Sequence, residues 1–208
     1  MGMGEPFLNY NNVLKSLKIL TDPKGFGLSS RRITVSTIGF KGKIKIFADD
    51  LSKVSNKSLK NVKLALSLHS TNNGFREKII PVSGRNRLPE IYDELVYFYR
   101  KTGTKITYEY IYFEGINDKP EDIKRLKRLS GMIPCNFNII PFHPIGFLMD
   151  TPLDTFNPVL KIGNKNSVSN EKIIDFIYSL RSHNIVANLR TSSGEDINAA
   201  CGQLALKE

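Results

Sequence analysis

The chain has 208 residues, 40% of them apolar and 24% charged, a composition that suits a single globular domain with one sizeable core. No apolar run is long enough to cross a membrane, and the opening MGMGEPFLNY has neither the basic nor the apolar region of a signal peptide, so a cytoplasmic protein without a lipid anchor is expected. Thirty Lys and Arg against 20 Asp and Glu leave a net charge of +10, which favours a polyanionic partner such as nucleic acid, although solvated helix faces account for many of these cations.

Gly2 and Gly4 lie at the start beside Glu5 and Pro6, where glycine lets a backbone approach a ligand and Glu5 offers a carboxylate; a flexible terminus explains the same residues. Asn11 or Asn12 is placed to cap a helix with Val13, Leu17 and Leu20 on one face, ending before Pro23. The β-branched run Arg32 to Ile38 predicts a strand closed by Gly39, and Lys43 to Leu51 a short helix. Asn61 to His69 is the second strand, its continuous apolar run fitting a strand covered on both faces. Pro89 opens a helix whose stripe is Leu88, Ile91, Leu95 and Phe98, stopped by Gly103.

Lys105 to Phe113 then predicts a third strand, Glu121 to Leu129 a short basic helix, and Phe137 to Phe142 a fourth strand. Ser169 is placed to cap a helix through Ser182, followed by a fifth strand at Ile185 to Leu189. Thr151 to Val168, rich in Pro, Asn, Gly and Ser, reads as an irregular surface loop. Strands alternating with helices and no hairpin signal between them predict an α/β fold of parallel βα units, barrel or open sheet, in one domain over residues 1–208.

In such folds functional groups collect beyond the C-terminal ends of the strands. Those positions are Ser36 and Thr37, Ser67 and His69, Glu109 to Asn117, His143, and Arg190 to Ser193. Their hydroxyls, amides and imidazoles suit hydrogen bonding to a nucleoside or an amino acid, while no nucleophile elbow or metalloprotease motif is present. Ser36 and Ser67 also read as helix caps, and His69 and His143 as structural histidines. Two cysteines cannot form a disulfide framework or a four-ligand zinc site. Cys135 opens an apolar strand and reads as buried. Cys201, in Ala199-Ala200-Cys201-Gly202, is either an uncovered thiol put to chemical use or a small hydrophobe in a C-terminal turn.

Seven segments carry a family resemblance: MGMGEPFLNYNN at 1–12, GFGLSSRRITVSTIG at 25–39, LALSLHS at 64–70, FREKIIPV at 75–82, YEYIYFEGIND at 108–118, NIIPFHP at 138–144 and SSGEDINAACGQLA at 192–205. In this order they resemble the RlmN family of radical S-adenosylmethionine (SAM) enzymes, which methylate carbon 2 of an adenine in large-subunit ribosomal RNA and in some transfer RNAs. The related Cfr enzymes, which methylate carbon 8, share much of this pattern.

The resemblance implies that Gly4 and Glu5 hold the amino group of SAM, and that Ser36 and the segment Ser67, Leu68 and His69 contact it at two strand ends. His143 stands where the family commonly has an asparagine, and an imidazole cannot both donate and accept in the amide's geometry. Cys201 matches the cysteine that one SAM methylates. A second SAM, cleaved reductively at a 4Fe–4S cluster fed by an electron donor, then generates a methylene radical on that cysteine; the radical adds to the adenine, and a second cysteine releases the adduct. The intact family member is expected to act as a monomer.

The family's CxxxCxxC cluster loop, its resolving cysteine and its proposed general base all precede the GEP motif, where this sequence starts. Two cysteines cannot ligate the cluster. The expectation is a partial radical-SAM (β/α) barrel lacking its first strands, with an open edge on the Arg32 to Ile38 strand. Three functions follow: the SAM-binding and methyl-carrier part of an RNA methyltransferase, a non-catalytic remnant that keeps SAM or RNA affinity, or another SAM- or nucleotide-binding protein.

Overall fold

The computed structural model describes residues 4–142, 149–156 and 170–190; His143, Cys201 and most of the Thr151 to Val168 segment lie outside them. Among the described residues five strands, β1 (Thr34–Thr37), β2 (Lys63–Ser67), β3 (Ile106–Tyr112), β4 (Cys135–Pro141) and β5 (Ala187–Leu189), form one sheet in sequence order with every pairing parallel. Among the described residues six α-helices accompany them: α1 (Tyr10–Thr21), α2 (Lys43–Ser52), α3 (Asn73–Ile79), α4 (Leu88–Thr102), α5 (Pro120–Ser130) and α6 (Asn170–Ser182). Right-handed crossovers between strands added always on the same side place every helix on the same face, the winding of a barrel rather than of an open doubly wound sheet.

Burial follows that winding. Leu64, Leu66, Tyr108, Tyr110, Phe137 and Ile139 alternate onto the helix-covered face and join Phe47, Leu95, Phe98, Leu126 and Ile173 in one core. The opposite face is polar and only partly covered. Ser36, Ala65, Thr107 and Asn136 stand side by side in register across four strands, and Ser67, Glu109, Asn138 and Asn188 form the next layer. The long apolar run of β2 predicts cover on both faces, and Leu64, Ala65, Leu66 and Ser67 are all buried, the second face against small and polar neighbours.

Several boundaries differ from the sequence reading. β1 is shorter than Arg32 to Ile38 because Ser30–Arg32 form a 3-10 turn leading into it. Helix α1 starts after Asn9, which makes no side-chain cap, and Asn12 only reaches back to the Asn9 side chain at 2.7 Å. Helix α3 lies in a stretch where no helix was predicted. Helix α2 has Gly42 at its N-cap, with no side chain to cap it; the Glu94 carboxylate of α4 accepts from Gly42 N–H and, at 3.3 Å, from Lys45 N–H. Among the described residues no strand pairs with the second edge of β1, and the 3-10 segment Pro6–Asn9 packs beside it through Phe7, 5.6 Å from the Phe47 ring. No helix among the described residues is long and apolar enough to cross a membrane.

Candidate functional site

The C-terminal ends of β1 and β2 are joined by charged side chains. Glu5 lies over the end of β1: Oε1 accepts from Thr37 Oγ1 at 2.7 Å and from Phe7 N–H at 3.0 Å, and Oε2 accepts from Ile38 N–H at 2.9 Å. A carboxylate has about four acceptor positions, so one, on Oε2, is left. Gly4 before it has φ +92 with open space around it, so the backbone conformation rather than crowding requires glycine.

Ser36 lies half-buried on the polar face and Ser67 is buried in the next layer. Neither caps a helix: Gly42 holds the N-cap position of α2, and α3 is capped by Asn72, whose Oδ1 accepts from Phe75 N–H at 3.1 Å. The side-chain hydroxyls of Ser36 and Ser67 have no hydrogen-bond partner among the described residues. Leu68 points the other way, into the core, so only its backbone faces the strand end.

His69 adopts φ +54, a left-handed conformation uncommon for a side-chain-bearing residue. The Leu68 and His69 amides both donate to the Glu109 carbonyl, at 3.0 and 3.1 Å. Asn117, itself buried, clamps the turn by donating to the His69 carbonyl at 3.0 Å and the Ile111 carbonyl at 2.8 Å while accepting from Phe113 N–H at 2.9 Å. His69 Nδ1 accepts from Ile111 N–H at 3.3 Å, which assigns the proton of a neutral ring to Nε2. Burial, and then the positive charge of Arg76, push the imidazole well below its ordinary range. The ring therefore serves as a neutral Nε2–H donor.

Arg76, on α3, is 1% exposed. Its Nε donates to the Leu68 carbonyl at 3.0 Å, and Nη2 donates to the Ser67 carbonyl at 3.1 Å and the Ile38 carbonyl at 2.5 Å. Burial lowers its pKa to about 10, which still leaves it charged at neutral pH. Sequence reasoning gave it no role, because a single Arg in a short polar stretch carries no periodic signal of burial. Glu109 was placed at a strand end, but its partners were not legible: Asn138 Nδ2 donates to Oε1 at 3.0 Å, and Arg190 Nη1 stands 2.9 Å from Oε2, out of line for a hydrogen bond.

The structure thus brings Gly4, Glu5, Ser36, Ser67, Leu68 and His69 to neighbouring strand ends, while His143 and Cys201 lie outside the described residues. An acceptor on Glu5, two unspent hydroxyls and an imidazole N–H fit an amino acid joined to a nucleoside, as in SAM. They do not fit an iron–sulfur cluster. Among the described residues no group of three His, Cys, Asp or Glu could hold a metal, and Cys135 starts β4 at the opposite end, its thiol pushed up to about 11 by burial.

A singly wound parallel sheet with its polar groups at the strand ends defines a barrel-type α/β protein. A crystal structure of a radical SAM methyltransferase from Sphaerobacter thermophilus superimposes with a TM-score of 0.77 at 34% identity, over 98% of this chain and 53% of that one. Over its whole length the chain is RlmN-like and corresponds to about half of such a protein. It is 42% identical to the probable dual-specificity RNA methyltransferase RlmN of Flavobacterium psychrophilum across 100% of this chain and 53% of the relative. It is 35% identical to the ribosomal RNA large subunit methyltransferase N of Nitrosopumilus maritimus across 98% of this chain and 51% of the relative. No family profile matches the chain.

Proposed function

We propose that this chain supplies the SAM-binding strand ends and the methyl-carrying cysteine of a radical SAM enzyme that methylates carbon 2 of an adenine in large-subunit ribosomal RNA, and in transfer RNA. The observation that carries the reading is the convergence of Glu5, Ser36, Ser67 and His69 on adjoining strand ends with hydrogen-bonding capacity left over.

When bound, SAM supplies the methyl group and the adenosyl fragment. Glu5 Oε2 takes one hydrogen of the amino group, Ser36 and Ser67 hydrogen-bond its polar atoms, and His69 donates from Nε2. The Leu68 backbone fixes the turn between them, and the family resemblance assigns His143 to contact with SAM and Cys201 to carrying the methyl. Two cysteines are too few to ligate a 4Fe–4S cluster. A second reading is that the chain binds SAM and RNA without turnover.

A chimaera separates the two readings. This chain is exchanged for the matching half of the Flavobacterium psychrophilum relative, and 2-methyladenosine in ribosomal RNA is measured by mass spectrometry in cells lacking their own enzyme. Methylation that disappears with Cys201→Ala supports the proposal. A folded chimaera that binds SAM and leaves the RNA unmethylated supports the second reading, and a folded chimaera that binds no SAM overturns both.

A further inference from the structure

The strand starts present a different chemistry from the strand ends. Arg31 and Arg32 lie in the turn leading into β1, Lys57 and Lys60 in the turn before β2, Lys63 is the first residue of β2, and Lys105 precedes β3; all six are exposed. None of them has an ion-pair partner among the described residues. Two acids at the end of α2 are already engaged, Asp49 with Lys101 at 3.7 Å and Tyr97 at 2.6 Å, and Asp50 with Lys53 at 2.5 Å and Tyr10 at 2.6 Å; Asp22, which follows Thr21 and its 3.1 Å bond to Ser58, accepts from Lys24 N–H at 2.9 Å and forms no ion pair among the described residues.

Lys63 and Lys105 are immediate neighbours, because Leu64 pairs with Ile106 in a parallel register and adjacent strands lie about 4.8 Å apart. Like charges side by side on neighbouring strands repel. Helix dipoles account for cations in the last turns of α4 and α5, such as Lys101 and Arg128, but not for cations in turns and strand starts. A lip that keeps uncompensated positive charge across three consecutive strands is suited to a phosphate backbone.

We infer that the strand-start lip formed by Arg31, Arg32, Lys57, Lys60, Lys63 and Lys105 is a second RNA-contact surface, separate from the strand-end site. The inference rests on the reading above that the protein acts on RNA. Strands of up to seven residues place the lip roughly 20 Å from the opposite end of the barrel. An RNA that offers a base to the strand ends reaches the lip with another part of its fold, so the lip contributes affinity without reading sequence.

The test is fluorescence anisotropy of a labelled synthetic RNA stem-loop with the purified chain, at about 50 and 200 mM salt. A variant carrying Lys57→Gln, Lys60→Gln, Lys63→Gln and Lys105→Gln is compared with one of equal charge carrying Lys15→Gln, Lys78→Gln, Lys119→Gln and Lys124→Gln. The lip variant is expected to bind at least about tenfold more weakly and to lose about 0.7–0.9 of salt slope for each phosphate contact removed. The control should lose less than about threefold. Equal losses in the two variants, or no RNA binding by the unaltered chain, overturn the inference. If the fourfold variant fails to fold, the pair Lys63→Gln and Lys105→Gln is compared with Lys119→Gln and Lys124→Gln under the same criteria. Calorimetric SAM binding by the unaltered chain, measured alongside, reports on the strand-end site alone, so failure there is distinguishable from failure of the lip.

Discussion

Glu109 and Arg190 meet charge to charge at 2.9 Å, tying the middle strand of the sheet to the residue that follows its last strand. The two partners are not equally covered: 37% of the Arg190 side chain is exposed and 5% of that of Glu109. Arg190→Ala strands a buried carboxylate with Asn138 as its remaining partner, and a cost of about 2–3 kcal/mol is expected. Glu109→Gln releases an arginine that can turn to water, so about 1 kcal/mol is expected. Urea titrations of both single variants and the double should show this order and a double-variant cost below the sum. The reverse order would show that the pair is held by something other than the buried charge.

Arg76 satisfies three backbone carbonyls from one buried position. Arg76→Met, of similar volume, leaves the Ile38, Ser67 and Leu68 carbonyls without that donor and is expected to lower stability by about 3 kcal/mol or more. For a chain of this size that is a fall in Tm of about 6–12 °C. Arg76→Lys keeps the charge but not the fork and should recover less than half of the loss by differential scanning fluorimetry.

His69 imposes a pH dependence whose sign follows from its surroundings. An imidazole harder to protonate in the folded than in the unfolded chain stabilises the fold above the ordinary value of about 6.5, and that stability is lost as pH falls from there toward the folded value of about 3. Unfolding free energy should decline between about pH 6.5 and 4 in the unaltered chain and less steeply in His69→Gln. In NMR spectra the His69 ring signals should stay in their neutral positions through this range. A midpoint near 6.5 for that ring would refute the assignment of a neutral donor.

Cys135 and Cys201 should differ in reactivity. Burial raises the Cys135 thiol to about 11, against about 8.5 for a free cysteine, so at pH 8 its thiolate fraction is lower by about two orders of magnitude. Iodoacetamide followed by peptide mapping should modify Cys201 first, and in Cys201→Ser the remaining thiol should label slowly until denaturant is added. If Cys135 in that variant labelled at the rate of glutathione, the partial burial of β4's first residue would be contradicted.

What was legible in the sequence is what repeats. The stripes of Leu88, Ile91, Leu95 and Phe98 and the β-branched and aromatic runs of β1 to β4 are periodic, and the parallel order followed from their alternation with helices. Helix α3 was missed because Asn-Gly-Phe-Arg-Glu-Lys-Ile is short, has glycine at its second position, and buries a guanidinium instead of an apolar stripe. The strand-end positions of Ser36, Ser67 and His69 could be read from strand boundaries. The competition for Glu5 could not, since its partners Thr37 and Ile38 are more than thirty residues away and one of them contributes only a backbone N–H.

The cap that Glu94 provides to α2 also bears on the order in which the chain acquires structure. The first turn of α2 borrows its acceptor from a residue 49 positions beyond Lys45, so the helix leaves the ribosome before its cap has been made. At roughly 5–20 residues per second the delay is about 2–10 s, during which a ten-residue helix without its own cap is marginal in water. The early βα unit is thus expected to remain unfinished until α4 docks against it, so the first half of the chain gains its structure together with α4 rather than ahead of it.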